Sequence, residues 1–575
     1  METLMPVKKQ LLFHDVILIG IMAILAACGL IYEYLLSHYA GRVLGAVETA
    51  IYAMIGIMIV SMGLGAFAAR WCKQPFTAFA WLEAIIALIG MSAVLVIASL
   101  LALTGTLPQL LTSVFNLPPG TVLDGMLMLQ LQEAATYTPY FAGFLLGFLI
   151  GMEIPLIARI RQEIYGTYLE NNTGTIYGAD YIGAGVGAAI WVTFMLSMDI
   201  TKAAALTALL NVLAGSLFLW RYFDKVQWRK TLAGFHVLLL GGLLLLGLNG
   251  QLWMAQFTNV LYKDQVIYSA QSNYQHIAVT ERYDAVDQQP VLDLYLNGRL
   301  QFSSADEHVY HSMLVYPAMA ASRRHDNVLL IGGGDGLALR DVLKWQPQQV
   351  TLIDLDPQLV SLFSPLAELQ SADSTHDRIN QQMTHLNQNA FNDPRVNVIF
   401  GDAFIEINSL IKDGLKFDTI IIDLPDPNHP DLNKLYSDFF YQKVGQVLQG
   451  DGVMVVQSTS PFHAKKAFMS IGKTVNAAGF AHTEQYRQNV PSFGEWGWTI
   501  ATKAGQSASA RIKSLAQLPL EDDWVTQPLI LGAFAFPNSF YNNINEIKIN
   551  TLGSLVLYQY HYQAWKKDQG LYFKP

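Results

Sequence analysis

Apolar positions fall in two different patterns along this chain. Over residues 1–250 they come in long runs; from 251 onward they come in short alternating or clustered groups. A helix needs about 20 apolar residues to cross a bilayer. Runs of that kind at 16–36, 48–69, 79–103, 140–158, 176–197, 203–220 and 231–248 predict seven spanning helices. The stretch 104–131 carries Pro108, Pro118 and Pro119 and reads as a loop or re-entrant piece rather than an eighth span. Gly183, Gly185 and Gly187 suit close helix packing in lipid.

After residue 251 the period shortens. Residues 291–296 alternate as a strand does, and Asn297-Gly298 is a hairpin turn signal. Apolar strands at 327–331, 350–353, 396–400, 417–422 and 452–457 then alternate with helical stretches. That alternation predicts a parallel, doubly wound sheet. The expected fold is therefore a multi-pass helical membrane bundle (1–250) fused to a Rossmann-like α/β domain of methyltransferase type, with a small β-hairpin region at its start (251–575).

Charge and composition narrow the partners. The chain is 52% hydrophobic and 14% charged, with a net charge of −9, which argues against nucleic acid. Cys28 and Cys72 have no metal or redox spacing, so no metal site is expected. The first apolar run is too long for a cleavable signal peptide, and Glu33 stands where small cleavage-site residues would be expected. Lys8, Lys9, Arg70, Lys73, Arg159, Arg161, Arg221, Lys225, Arg229 and Lys230 lie in alternate inter-span segments, whereas the intervening ones hold Arg42 and Lys202. By the positive-inside rule the N-terminus is cytoplasmic, and seven spans would leave the C-terminal half outside. Glu33, Glu153 and Asp180 fall within or beside spans and are candidate cation-path or helix-pairing groups. Glu48 and Glu83 are expected to face water, and the tail residues Tyr558, Tyr560, Tyr562 and Trp565 to pack on the core.

The candidate chemistry lies at the strand ends, where doubly wound sheets bind ligands. Gly332-Gly333-Gly334-Asp335-Gly336 follows the first parallel strand. A glycine loop there lets backbone approach a ligand, and a dinucleotide is one reading. Asp335 inside the loop would repel a pyrophosphate and attract a cation. Asp354 suits a ribose diol, and Asp402 an adenine amino group. Ribose and adenine beside acids, without phosphate, point to a sulfonium nucleoside. The bland alternative for each aspartate is a helix cap. Asp423 and Asp426 are three residues apart and suit two tasks, holding an ammonium and taking a proton from an attacking amine.

These segments resemble the spermidine synthase family, in its membrane-fused bacterial form. The resemblance covers Tyr274 to Lys503. It includes Tyr274-Gln275, Leu296-Asn297-Gly298 with Gln301, Asp306-Glu307-His308-Val309-Tyr310-His311, the glycine loop, Asp393-Pro394-Arg395, Gly401-Asp402-Ala403, Asp423-Leu424-Pro425-Asp426-Pro427 and Gly494-Glu495-Trp496-Gly497. In the first half, Gly151-Met152-Glu153-Ile154-Pro155 and Ala179-Asp180-Tyr181-Ile182-Gly183 resemble the membrane-fused members.

The resemblance implies transfer of an aminopropyl group from decarboxylated S-adenosylmethionine to putrescine or a related amine, giving spermidine and methylthioadenosine. It implies no bound cofactor. It assigns Gln275, Asp354, Asp402 and Ala403 to the nucleoside, Tyr310, His311, Asp335 and Asp426 to the amine and aminopropyl site, and the base role to Asp423. Asp354 stands where the family usually has Glu, and Ser312, Leu424, Pro425, Ser458, Thr459 and Phe493 also depart from its pattern, mostly around the amine. Two other readings share the fold: an S-adenosylmethionine-dependent methyltransferase, and a polyamine-binding or transport protein with a non-catalytic domain. The expected surroundings are a cell membrane and, because the donor is made in the cytoplasm, a cytoplasmic catalytic half. Self-association into a homo-oligomer is compatible with the sequence.

Overall fold

The structure is a computed structural model that describes residues 4–44, 47–114, 130–131, 134–165, 172–196, 198–262, 264–283, 288–365, 374–520 and 522–568. The chain divides into two compact units, Met1–Gln265 and Val266–Pro575.

The first unit is helical. Its helices are Leu4–Leu44, Val47–Ala68, Pro75–Val114, Thr138–Gly151, Glu153–Tyr165, Asn172–Ile190, Ile200–Arg221 and Arg229–Leu261. Among the described residues, six helical stretches are long and apolar enough to cross a membrane, against the seven expected. The run at 176–197 is helical too, and continues as a π-helical turn at Trp191–Met195. The helix Asn172–Ile190, whose first turn holds Asn172, Thr173 and Thr175 and which also carries Asp180, is not among the six. Pro108 does not end its helix, contrary to expectation: the helix runs on to Val114, and a proline removes one backbone bond without halting a continuing apolar pattern. Pro118 and Pro119 lie outside the described residues.

Small residues set the packing here. A Cβ on Gly183 or Gly187 would sit 2.1 or 2.6 Å from the carbonyl oxygens of Ala23 and Ala27. These two glycines, one turn apart, let the first helix lie directly on theirs. Gly185 faces open space and takes no part. Glu83 is also not where it was expected. It is buried two turns into its helix, where Asn211 Nδ2 donates to Oε2 at 2.8 Å. Glu153 is buried as well, and Arg161 pairs with Asp15 at 2.6 Å. The side chain of Glu48 lies outside the described residues.

The second unit holds two sheets. A four-stranded antiparallel meander, β1 (Gln265–Gln271), β2 (His276–Tyr283), β3 (Pro290–Leu296) and β4 (Arg299–Ser303), stands where only a hairpin was expected. Asn297 and Gly298 have φ of 51° and 77°, the left-handed pair that a tight hairpin turn requires. The larger sheet contains β5 (Asn327–Gly332), β6 (Gln349–Asp354), β7 (Val396–Phe400), β8 (Phe417–Asp423), β9 (Leu448–Gln457), β10 (His482–Val490) and β11 (Gly494–Thr502), in the order β10-β11-β9-β8-β5-β6-β7. All five expected strands are present. β11 is the one reversed strand, antiparallel to both of its neighbours.

Alternation along these strands decides the two cores. In β5, Val328 and Leu330 point into one apolar layer and Leu329 and Ile331 into the other. In β9, Val453 and Val455 are separated from Met454 and Val456 in the same way. A parallel strand covered on both faces reads as an unbroken apolar run, so these strands show no alternation in sequence. The chain order reverses between β5 and β8, and that switch point is where the glycine loop and Asp423 emerge side by side. Leu330 is fully buried. Leu330→Ala is therefore expected to destabilise this unit by about 2–5 kcal/mol, read as a lowered melting temperature of the full-length protein. An unchanged melting temperature would contradict the assigned core.

Candidate active site

Register places the reactive groups. Gly332 at the end of β5 pairs with Asp423 at the end of β8. Gly332 has φ of 82°, and a Cβ there would lie 2.0 Å from the Asp423 carbonyl oxygen. A side chain is excluded on both counts. A Cβ on Gly334 would likewise meet Asp354 Oδ2 at 2.7 Å. At Gly332 and Gly334 the loop thus passes the ends of β8 and β6 with no room for a side chain.

The helix Glu307–Ala321 supplies the partners. Tyr310 donates its hydroxyl to Asp423 Oδ1 at 2.7 Å. His311 Nδ1 lies 2.8 Å from Glu307 Oε2, and Arg340 holds Glu307 at 2.7 Å. Burial works against an imidazolium at His311, but the Glu307 hydrogen bond and charge outweigh it and push its pKa up to about 9. Glu307 is buried, yet its bonds to His311 and Arg340 bring it down to about 2. His311 is therefore a fixed cation at neutral pH, and both Asp335 and Asp423 feel its charge.

The aspartates shift opposite to Glu307, upward. Loss of water raises Asp423 to about 6; the Asp335 charge adds to this, while His311 and the Tyr310 hydroxyl oppose it. Burial also raises Asp335. Asp354 goes to about 7, again chiefly through burial, with Asp356 and Asp335 as repelling neighbours. Perturbed acids converging on a switch point mark a functional site.

The structure brings Tyr310, His311, Asp335, Asp354 and Asp423 into one electrostatic cluster. Asp426 lies close enough for its charge to be felt at Tyr310. Asp402 caps the helix that opens at Ala403, through Oδ1 to Phe404 N at 2.9 Å, and Lys434 Nζ holds Oδ2 at 2.6 Å. Gln275 donates to Asp356 Oδ2 at 2.9 Å, and Ser272 joins it there at 2.6 Å. Ser272, Asp356, Arg340 and Lys434 were absent from the sequence reading of the site, since each acts through a partner 30 or more positions away. Leu424 and Pro425, which depart from the family pattern, present backbone. Gln457 Nε2 donates to Leu424 O at 2.8 Å and Tyr436 to Pro425 O at 2.9 Å, bracing the loop between the two acids.

Residues 307–513 match the spermine/spermidine synthase domain, so the fold and the strand-end acids define a Rossmann-type transferase of that class. Over 560 residues the chain is 56% identical to a polyamine aminopropyltransferase of Shewanella oneidensis, covering 97% of this chain and 96% of that one. Polyamine aminopropyltransferase 1 of Streptomyces coelicolor is 33% identical over 94% of this chain and 93% of its own. The enzyme of Oceanobacillus iheyensis is 32% identical over 94% and 96%. A spermidine synthase solved in complex with the transition state analogue AdoDATO aligns with 49% of this chain and 88% of its own, at 25% identity and a TM-score of 0.41. The chain belongs to the polyamine aminopropyltransferase family, and it is an enzyme.

The Tyr310 bond favours the ionised form of Asp423. Tyr310→Phe should therefore raise the Asp423 pKa above about 6 and move the acid limb of the kcat/KM pH profile to higher pH. A limb that stays in place would separate Tyr310 from Asp423.

Proposed function

We propose that Asp423 is the general base of aminopropyl transfer, and that putrescine or a closely related amine is the acceptor. The amine nitrogen attacks the aminopropyl carbon next to the sulfonium of decarboxylated S-adenosylmethionine. The new C–N bond forms as the C–S bond breaks, and methylthioadenosine leaves with the electron pair. The proton on the attacking nitrogen passes to Asp423. An alkylamine has a pKa near ~10 and is mostly protonated at neutral pH, so it needs such a base.

The observation that carries this reading is the Asp423 carboxylate itself. It sits against the glycine loop with one oxygen held by Tyr310, and it is raised to about 6, a stronger base than an ordinary aspartate. Asp354 takes the ribose, and Gln275, Asp402 and Ala403 complete the nucleoside site. His311 and Asp335 line the aminopropyl path with Tyr310, and Asp426 receives the amine. Both substrates are cations, and the acids outnumber His311.

Asp423→Asn keeps the shape and removes the basicity, so turnover should fall by ~10²–10⁴-fold with methylthioadenosine affinity nearly unchanged. Asp426→Asn should chiefly raise the amine KM, by the ~1.5–3 kcal/mol of a lost charge-assisted contact. A folded Asp423→Asn enzyme with normal turnover would remove Asp423 from the mechanism.

The helical unit inserts in a membrane on this reading. Its surface carries Val237, Leu238, Leu244 and Leu248, each more than 60% exposed, on one long apolar helix. Such a surface suits lipid and not water. Donor supply puts the catalytic unit in the cytoplasm. The protein should stay with membranes through alkaline carbonate washing; release into the supernatant would contradict the insertion.

A further inference from the structure

The match to the spermine/spermidine synthase domain ends at residue 513, but the described chain continues to residue 568 and comes back to the site. The helix Val556–Asp568 places His561, 2% exposed, with Nε2 3.1 Å from Asp426 Oδ2. An ionised carboxylate only accepts, so Nε2–H is the donor in this bond. The other oxygen, Oδ1, is buried and has no hydrogen-bond partner among the described residues. A buried acceptor without a donor calls for an explanation, and a ligand donor supplies one.

The helix is docked firmly enough to serve as part of a site. Leu557 is fully buried in the core beneath it, with Tyr560 and Ala564 packed alongside. Asn550, in the approach to the helix, accepts at Oδ1 from Asn433 at 2.9 Å and donates through Nδ2 to the carbonyls of Asn433 and Tyr436. The Tyr558 amide donates to Asn433 Oδ1 at 3.2 Å. The loop that carries Asp426 runs directly into this 3-10 segment, Pro430–Tyr436. The C-terminal helix and the acidic loop are thus pinned to the same short piece of chain.

We propose that the C-terminal helix completes the acceptor site, with His561 as a positioning residue that sets preference for diamines. This rests on the reading of Asp423 and Asp426 as the amine site. His561 holds one oxygen of Asp426, which turns the free oxygen toward the distal ammonium of an acceptor whose other nitrogen is at Asp423. A monoamine has no group for Asp426 Oδ1 and gains nothing from this arrangement.

The test uses the full-length enzyme with decarboxylated S-adenosylmethionine. Wild type, His561→Ala and His561→Gln are compared for the putrescine KM and kcat, for the inhibition constant of butylamine against putrescine, and for the melting-temperature rise given by methylthioadenosine. His561→Ala should raise the putrescine KM about 10-fold or more, the scale of one lost bond to a charged group. Its kcat, butylamine inhibition constant and methylthioadenosine response should hold, and His561→Gln, which keeps an N–H donor, should recover most of the loss. An unchanged putrescine KM, or an equal loss for putrescine and butylamine, would overturn the proposal. So would a His561→Ala protein that melts early and no longer responds to methylthioadenosine, because His561 would then serve the fold alone. A wild type that transfers to no amine would overturn the activity itself and this inference with it.

Discussion

Carboxylates gathered at the ends of neighbouring strands repel one another, and the site exists only because that repulsion is balanced. Asp335, Asp354 and Asp423 are each raised, chiefly because they have lost water. At Asp335 and Asp423 the balance comes from His311, a buried cation fixed by Glu307, which Arg340 fixes in turn, and at Asp354 from the backbone N–H groups of Gly334 and Asp356. Without that chain of pairs the acids would take up protons, since a buried charge with no partner neutralises itself. With it, Asp423 is raised no further than about 6. The glycine loop follows from the same crowding, because a side chain at Gly332 or Gly334 would strike the strand ends that carry the acids.

Much of this unit was legible in the residues. The five parallel strands stood out as short apolar runs bounded by turn residues, and Asn297-Gly298 announced its hairpin. The acids at the strand ends were visible for the same reason, since the strand end is where the apolar run stops. The reversed β11 and its neighbour β10 were not picked out, because Gly494-Glu495-Trp496-Gly497 does not read as an apolar run. Long-range partners were invisible too. Arg340 reaches Glu307 across 33 positions and His561 reaches Asp426 across 135, and no local pattern marks such pairs. The tail aromatics were expected to be packing alone. Tyr560 does pack on the core, but it stands next to His561, and the side chain of Trp565 lies outside the described residues.

The helical unit shows the reverse case. Its helices follow plainly from the apolar runs, while what lies inside them does not. Composition located Gly183, Gly185 and Gly187, but only a spacing of four brings glycines to the same helix face, so two of the three make the contact. An apolar run that starts at 79 puts Glu83 near a water-facing end, but the helix begins at Pro75, and Asn211 meets the carboxylate inside the bundle. A departure from apolarity inside such a helix marks either a pairing, as at Glu83, or a helix outside the six candidate spans, as at Asp180.

An acidic switch point built this way should move an aminopropyl group. Purified full-length protein incubated with decarboxylated S-adenosylmethionine and a panel of amines, with products read by mass spectrometry, tests that directly. Methylthioadenosine and an aminopropylated diamine should appear in equal amounts. No transfer to any amine, or methyl transfer from S-adenosylmethionine in its place, would contradict the account.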